Sequence, residues 1–332
     1  GVVPEGGLRA RSIRAVERWL FALPDLVLVD TAAHGRALAA DVGLDPSRAV
    51  VLPVGAPAAY RESTPSYEAD RATCRVVYCG QYIPLHGVPT ILEAADRLRD
   101  RPDIAFELVG IGQGLAEAHA AAERLGLAGL RFVEAWLPPA ELAARHLASA
   151  DVCLGVFGVS PKADVVVPHK AYMALAAGRA LVTGDTAAAR ELLRPGEAVL
   201  VPTGDAAALA DAIAALADDP DRRAALAARG QEAWRARFAP DVLGRRLAAL
   251  LDAAARARRA ERSRMVGPRH RWRTARLARE LEVAVPTGPV LDAGCGDGSL
   301  ALRLAGSAID ASPPHIVLAC DVALARVRVA AA

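Results

Sequence analysis

Between residues 75 and 200, short apolar runs alternate with segments in which apolar residues recur every three or four positions. The runs are rich in β-branched residues and predict strands at 75–79, 104–109, 131–133, 152–156, 180–183 and 198–201. Between the first two strands, five apolar residues share one face of a predicted helix: Val88, Ile91, Leu92, Ala95 and Leu98. This alternation indicates an α/β domain built on a parallel sheet.

The pattern changes on either side of this region. Before it, residues 26–30 and 49–53 predict two strands that enclose a helix, for which Thr31 is a suitable N-terminal cap. A stretch at 57–73 that contains Pro, Ser and Thr predicts a linker. After it, helices are predicted in succession, the last two beginning near prolines: 206–217, 221–237 from Pro220 and 241–258 from Pro240.

Composition sets broad limits on function. The 332 residues predict two folded units at about 150 residues per domain, and 75 alanines predict a largely helical chain. The formal net charge of +2 argues against a general nucleic-acid binder. The five cysteines are scattered and predict neither a disulfide framework nor a metal site. No apolar run reaches 18 residues and no export signal is visible, so a cytoplasmic protein is expected.

Basic residues are distributed unevenly by type and by position. Of the 40 basic residues 38 are arginine, and the two lysines are Lys162 and Lys170. A chain with this bias should keep lysine where a compact ammonium is needed, and chance retention is the alternative. Residues 256–279 hold ten arginines against one acid, Glu261, which indicates either a solvated linker or a patch for an anionic partner.

A glycine-rich segment near the C-terminus follows an apolar run. In VLDAGCGDGSLALRL, at 290–304, Gly294, Gly296 and Gly298 alternate after a predicted strand and before a predicted helix. Alternating glycines leave space for a cofactor against the backbone, and a helix N-terminus offers free N–H groups. The alternative is a glycine turn that binds nothing.

This segment resembles motif I of class I S-adenosylmethionine-dependent methyltransferases. The resemblance implies a cofactor site with Asp321 on the ribose and the following residues around the loop: Asp292, Gly294, Cys295, Gly296 and Gly298. The preceding RHRWRTARLAREL is similar to the basic helix that opens such domains. Because 34 residues follow Gly298, we expect only the first part of that fold, without the methyl-acceptor half.

The central region resembles the donor-binding C-terminal domain of B-fold glycosyltransferases, in particular family 4. The blocks occur in the order of that family: CGQYIPLHGVPTILEAADRL, FELVGIGQG, LASADVCLGVFG and VPHKAYMALAAGRALVTGDTAAARELL. The PLHG sequence is similar to that of one subgroup. The resemblance implies a Rossmann-like sheet and a nucleotide-diphosphate sugar donor, used with retention of configuration.

The same resemblance implies site residues. Gln81 and His86 occupy positions at which relatives usually hold the donor diphosphate with Arg and Lys. Breaking the sugar–phosphate bond leaves charge that fixed donors must stabilise, so the expected diphosphate site comprises Lys170, Lys162, His86, Gln81 and Gly87, with helix N-terminal amides near Val88 and His169. The expected nucleotide site comprises Gly110, Gly112, Trp136 and Leu137. A solvated cation is the alternative for Lys162, and a turn residue for His86.

The sequence departs from the family at two further positions. Two family glutamates, one near the donor sugar and one on the ribose, align with Val165 and Met173. Neither side chain can accept a hydrogen bond from a hydroxyl group. Backbone groups or Asp164 are the expected substitutes.

Together these patterns predict an α/β chain: a Rossmann-like, parallel-sheet glycosyltransferase B-fold domain with a partial N-terminal domain, followed by a truncated Rossmann-like methyltransferase domain. The expected segments are an acceptor-domain remnant at 1–55, a linker at 56–74, a donor-binding domain at 75–260 and the start of a methyltransferase at 261–332. The alternative is a catalytically degenerate glycosyltransferase-like scaffold beside the methyltransferase.

The expected ligands and partners follow from this interpretation. They are a nucleotide-diphosphate sugar, S-adenosylmethionine, and a glycan or lipid-linked acceptor, with no metal and no nucleic acid. The remainder of an N-terminal domain would supply any peripheral membrane contact. Because the chain starts without methionine and both folds are incomplete, this fragment alone is expected to be inactive.

Overall fold

The computed structural model describes residues 8–24, 26–61, 73–265, 290–293, 317–321 and 326–330. The chain divides into two compact units, Gly1–Leu250 and Leu251–Ala332. The strands are Val27–Val29 (β1), Ala49–Val51 (β2), Cys74–Cys79 (β3), Ile104–Val109 (β4), Arg131–Val133 (β5), Val152–Leu154 (β6), Ala180–Gly184 (β7), Val199–Val201 (β8), Val290–Ala293 (β9), Val317–Asp321 (β10) and Arg326–Ala330 (β11).

The helices alternate with these strands through most of the first unit. They are Leu8–Ala22 (α1), Ala32–Val42 (α2), Val88–Arg97 (α3), Leu115–Arg124 (α4), Pro139–Leu142 (α5), Pro161–Val165 (α6), His169–Ala176 (α7), Ala187–Leu192 (α8), Ala206–Asp218 (α9), Pro220–Ala233 (α10) and Pro240–Met265 (α11). Short polar side chains cap several of them. Thr31 accepts from the amide of His34, as predicted, and Asp219 accepts from that of Arg222 at the start of α10.

The main sheet has six strands in the order β5-β4-β3-β6-β7-β8, and every pair is parallel. This confirms the predicted α/β architecture. The chain order reverses between β3 and β6, and ligands bind outside the carboxyl ends of strands at such a reversal. The strand order therefore predicts a ligand site among the loops that follow β3 and its neighbouring strands.

Alternate residues of β3 pack into two different cores, because successive side chains of a strand point to opposite faces. Val76 and Tyr78 join the cluster that contains Ile91 of α3. Val77 and Cys79 join the cluster that contains Tyr172 of α7. The strand is thus buried on both faces, which explains its nearly continuous apolar sequence.

A smaller parallel sheet has two strands, β1 and β2, connected by α2, whose N-terminus is joined to α6 and α8 by polar contacts. The Thr31 hydroxyl donates to the carbonyl of Val165 at 2.5 Å. The Glu191 carboxylate accepts from the amide of Ala32 at 2.6 Å and from that of Ala33 at 3.1 Å. Glu191 thereby caps the start of α2 from another part of the chain.

The segment predicted as a linker at 57–73 begins with packed residues. Residues Ala58–Tyr60 form a 3₁₀ turn and Tyr60 is buried. The Trp234 indole donates to the carbonyl of Ala56 at 3.2 Å, which ties this segment to the end of α10. Residues 62–72 lie outside the described residues.

The second unit contains β9 paired in parallel with β10, with Asp292 opposite Ala319. β11 pairs antiparallel with β10. Only residues 322–325 separate these two strands, too few for the crossover that a parallel pair needs. The strand after Asp321 therefore does not extend the parallel order of a doubly wound domain. The basic segment is helical as far as Met265, beyond the predicted end at 258.

Within the described residues, no helix combines the length and apolarity needed to cross a bilayer. The same residues contain no group of three or more side chains arranged to hold a metal ion.

Candidate functional site

A cavity of about 580 Å³ opens at the carboxyl edge of the main sheet, where the strand order reverses. Loops after β3, β4 and β5 and the first turn of α7 form its walls. It brings together six of the residues singled out from the sequence: Gln81, His86, Gly110, Trp136, Leu137 and Lys170. Tyr60, Cys79, His169 and Met173 also line it.

Lys170 lies in the first turn of α7 and is 7% exposed. Its Nζ atom has no hydrogen-bond partner among the described residues. Burial lowers the Lys170 pKa well below its usual range, and the nearby Cys79 thiol opposes that shift only in part. A helix N-terminus also disfavours a cation. A bound anion would satisfy both the ammonium and the helix terminus.

Gly80 allows this lysine to reach the sheet edge. A Cβ atom at Gly80 would lie 2.5 Å from Nζ of Lys170 and 2.7 Å from its Cε. Any larger residue would displace the ammonium. The glycine that follows β3 is thus explained by the close approach of a side chain, which the sequence pattern did not reveal.

His86 ends a 3₁₀ turn and is nearly buried. Its Nδ1 atom lies 2.5 Å from the carbonyl oxygen of Gln81 and 2.9 Å from the Tyr78 hydroxyl. Burial and the adjacent Lys170 lower the His86 pKa to about 4, although the Gln81 carbonyl raises it. His86 is therefore neutral near pH 7.

The loops expected to hold a nucleotide divide into two groups. Trp136 and Leu137 line the cavity, and the Trp136 side chain is 70% exposed. Gly110 also lines it. Gly112 does not, because its backbone packs against Tyr82, where a Cβ would lie 2.9 Å from the carbonyl oxygen. The absence of a side chain at Gly112 allows the loop after β4 to pack against the backbone of Tyr82.

Two members of the expected diphosphate site lie elsewhere. Lys162 is exposed on α6 and does not line the cavity. Gly87 and Val88, at the start of α3, line a different cavity of about 900 Å³. Gly87 has a φ of 67°, and a Cβ there would lie 2.5 Å from the amide nitrogen of Gly158. The turn into α3 explains this glycine without a ligand.

The positions aligned with the family glutamates also separate. Met173 is buried and lines the cavity, whereas Val165 belongs to α6, where its carbonyl is bonded to Thr31. The Asp164 carboxylate accepts from the amide of Ala187 at 2.9 Å, as a cap for α8. Asp164 is therefore engaged in the fold and does not line the cavity.

Sequence reasoning missed Tyr78, Tyr60 and Cys79. Each occurs in an apolar context typical of core residues, and Tyr78 is fully buried. The sequence carried no signal for them, because the reversal of strand order beside β3 and the packing of Tyr60 on His169 of α7 exist only in the fold.

The methyltransferase-like residues can be located only in part. Asp292 lies in β9 and Asp321 in β10. Gly294, Cys295, Gly296 and Gly298 lie outside the described residues.

The family match covers the part of the chain that forms the main sheet. Residues 73–219 match the family model described as glycosyl transferases group 1. No curated protein matches the chain.

Solved structures of similar fold include sucrose-phosphate synthase from Thermosynechococcus elongatus, with 22% identity and a TM-score of 0.64, covering 77% of this chain and 65% of that one. Anabaena HepE in complex with UDP and glucose has 20% identity and a TM-score of 0.61, covering 75% of this chain and 68% of that one. Staphylococcus aureus TarM, in complex with fondaparinux, alpha-GlcNAc-glycerol and UDP, has 11% identity and a TM-score of 0.58, covering 74% and 48%.

The chain thus spans 65% of the length of the sucrose-phosphate synthase structure. Residues 73–219 carry the sequence pattern of group 1 glycosyl transferases, on a fold shared with glycosyltransferases of the B type.

Proposed function

We propose that the cavity at the carboxyl edge of the main sheet binds the diphosphate of a nucleotide-sugar donor, and that the chain is part of a glycosyltransferase. One observation carries the proposal. The Lys170 ammonium is buried at the cavity wall without a hydrogen-bond partner among the described residues. A buried, unpaired charge is costly, so this arrangement is stable and useful when an anion occupies the cavity.

The chemistry of transfer explains why such a group is needed. When the sugar–phosphate bond breaks, both electrons of that bond stay on the phosphate oxygen, and the nucleoside diphosphate gains negative charge. A preorganised cation and the free amides of the first turn of α7 stabilise that charge more than they stabilise the intact donor. Lys170 and the start of α7 supply these groups.

His86 would contribute by taking up a proton. Its pKa of about 4 rises when a diphosphate binds, because an anion favours the imidazolium. Between that value and the higher pKa of the complex, binding takes up a proton. Affinity therefore falls as pH rises through this interval, and then becomes constant.

Trp136 would support the base. The Trp136 side chain lines the cavity and is 70% exposed, and an exposed indole can stack on a nucleobase. The structure of HepE contains UDP and glucose, and that of TarM contains UDP and a glycan. These complexes support a nucleotide-sugar donor and a glycan acceptor for this chain. Retention of configuration is proposed on the family resemblance.

The second candidate function is a binding scaffold that has lost catalysis. Met173 favours it, since a thioether stands at the cavity position where the family has a glutamate. Binding of a nucleoside diphosphate without sugar transfer is compatible with both functions, because this chain by itself is expected to be inactive.

The methyltransferase segment also remains a proposal. The parallel pairing of β9 with β10 agrees with a βαβ unit, and Asp292 and Asp321 lie in those two strands. Titration with S-adenosylmethionine tests it. Gly296→Val should abolish that binding, because a branched side chain would occupy the cofactor's approach.

The central test is calorimetric titration of the 332-residue chain with UDP, ADP and GDP. Lys170→Met should weaken binding of the preferred nucleotide by about tenfold to a hundredfold, the range for a hydrogen bond to a charged group. Thermal stability should not fall, because methionine removes a buried charge.

Lys162→Met is the matched control, since it removes the exposed lysine of α6. Its affinity should equal that of the unmodified chain. Equal affinities for both lysine variants and the unmodified chain would refute the role of Lys170. Failure of all three nucleotides to bind would refute the proposed function.

A further inference from the structure

Tyr78 lies beside the proposed diphosphate site and contacts three of its members. The Lys170 Nζ atom is 4.0 Å from the centroid of the Tyr78 ring. The Tyr78 hydroxyl is 2.9 Å from Nδ1 of His86 and donates to the carbonyl of Gln81 at 2.7 Å. Tyr78 itself is fully buried in β3 and does not line the cavity.

We propose that Tyr78 is a positioning residue for nucleoside-diphosphate binding, whose ring supports the Lys170 ammonium and whose hydroxyl orients His86. The inference rests on the proposed function of this cavity and adds a residue that touches no ligand. Its two parts concern different atoms of one side chain, so they can be separated by substitution.

The ring fixes the ammonium. An aromatic face attracts a cation electrostatically, and Nζ has no hydrogen-bond partner among the described residues. Gly80 also borders this ammonium, since a Cβ atom there would lie 2.5 Å from Nζ, so the lysine side chain packs against both a ring and a bare backbone. The charge is thereby held at one point of the cavity wall before a ligand arrives, which reduces the ordering cost of binding.

The hydroxyl fixes the imidazole. Because the Tyr78 proton goes to the Gln81 carbonyl, its oxygen is free to accept the Nδ1 proton of His86, which the same carbonyl also accepts. Nδ1 is then the protonated nitrogen, and Nε2 is the nitrogen left for a ligand. Loss of the hydroxyl removes one acceptor that stabilises the imidazolium, so the His86 pKa should fall.

Among the described residues, the titratable groups around Lys170 and His86 do not include a carboxylate that could pair with them, so a bound ligand would have to supply the negative charge. Lys170 interacts with Cys79 and His86, and Tyr78 interacts with Cys79 and Tyr82. Glu107 and Cys153 act on Cys79, and His169 lies beside Lys170 on α7. In the described part of the chain, none of the groups that shift the pKa of Lys170 or His86 is a carboxylate.

The first experiment measures lysine protection without a nucleotide. The chain has two lysines, so reductive methylation with formaldehyde and cyanoborohydride, followed by peptide mass spectrometry, reports on each. Lys162 is exposed and serves as the internal reference. Lys170 should react slowly in the unmodified chain and in Tyr78→Phe, and about tenfold faster in Tyr78→Leu, which lacks the ring.

The second experiment measures UDP affinity against pH for the unmodified chain and Tyr78→Phe. We expect about threefold weaker binding near neutral pH. The pH midpoint should move down by about half a unit, because the imidazolium has lost an acceptor. Comparison between variants cancels the titration of the phosphate itself.

Tyr82→Phe is the matched control for the hydroxyl, and Phe106→Leu is the control for loss of a buried ring. Tyr82 is equally buried and donates to the carbonyl of Leu108 at 3.3 Å, away from the cavity, and the phenylalanine keeps the ring that packs edge-on against Tyr78. Phe106 is buried in β4 in the same core cluster as Tyr78 and does not line the cavity. These variants should keep the Lys170 protection and the pH profile of the unmodified chain. If they behave like the Tyr78 variants, general loosening of the core explains both, and the positioning role is wrong.

The outcomes separate the two proposals. Equal Lys170 protection in Tyr78→Leu and the unmodified chain overturns the role of the ring. An unchanged pH profile in Tyr78→Phe overturns the role of the hydroxyl. Absence of UDP binding by the unmodified chain refutes a UDP site and with it the use of Tyr78 for that ligand, whereas the protection experiment still decides whether the ring confines Lys170.

Discussion

Gly80 and Lys170 are in contact across the carboxyl edge of the main sheet, where a Cβ atom on Gly80 would lie 2.5 Å from Nζ of Lys170. Gly80→Ala should therefore displace the ammonium and weaken nucleoside-diphosphate binding by about tenfold, through loss of a charged donor. Calorimetry measures the effect. Gly126→Ala is a control for glycine replacement at positive φ, because nothing lies within 4 Å of its Cβ position. Unchanged affinity in Gly80→Ala would contradict the geometry.

His86 should make the fold sensitive to acid. Its pKa is lowered to about 4 by burial and by Lys170, whereas an unfolded histidine titrates near its usual 6.5. Between these values the unfolded state binds more protons, so stability falls as pH decreases from about 6.5 towards about 4. The loss contributed by His86 is on the order of 3 kcal/mol at 1.36 kcal/mol per pKa unit.

Urea denaturation from pH 4 to 7 compares the unmodified chain with His86→Gln. The difference in unfolding free energy between them should shrink or reverse in favour of His86→Gln as pH falls. A difference independent of pH would show that His86 titrates alike in both states.

Trp136→Ala should weaken UDP binding by about 1–3 kcal/mol if the indole stacks on the base. Inorganic pyrophosphate lacks a base, so its affinity should not change. The side chain is 70% exposed, and the melting temperature should also stay constant. Equal losses for UDP and pyrophosphate would place the effect on the diphosphate site and refute stacking.

Glu191 should stabilise the attachment of α2. Its carboxylate accepts from the amides of Ala32 and Ala33, so Glu191→Gln removes a charge from a helix N-terminus and should cost about 1 kcal/mol of unfolding free energy. Glu123→Gln, on an exposed position of α4, is the control. Equal stability of the two variants would contradict the capping role.

The alternation of apolar runs and amphipathic segments was sufficient to predict the six strands of the main sheet and the helix α3 between the first two of them. It is a local property: a strand buried on both faces must be nearly all apolar, and a helix on a sheet must have one apolar face. Caps are local as well, so Thr31 and the starts of α10 and α11 at Pro220 and Pro240 were also predicted from the sequence.

The sequence also pointed to Lys170, because lysine is rare in this chain and stands in a family block. It could not separate Lys170 from Lys162, since both follow prolines near the start of short helices. Burial separates them, and burial depends on how α7 packs against β3. Gly87 and Gly112 lie outside the cavity, because they pack against Gly158 and Tyr82 respectively.

Only the tertiary structure shows that Tyr78 and Gly80 contact Lys170. Within the sequence, one is an apolar strand residue and the other a turn glycine. Both residues contact Lys170 of α7. Gly80 and Lys170 are 90 positions apart in the sequence. The local pattern thus determined which elements form. Which side chains converge at the carboxyl edge was decided by the reversal of strand order between β3 and β6, because only the folded sheet brings the loops of distant strands together.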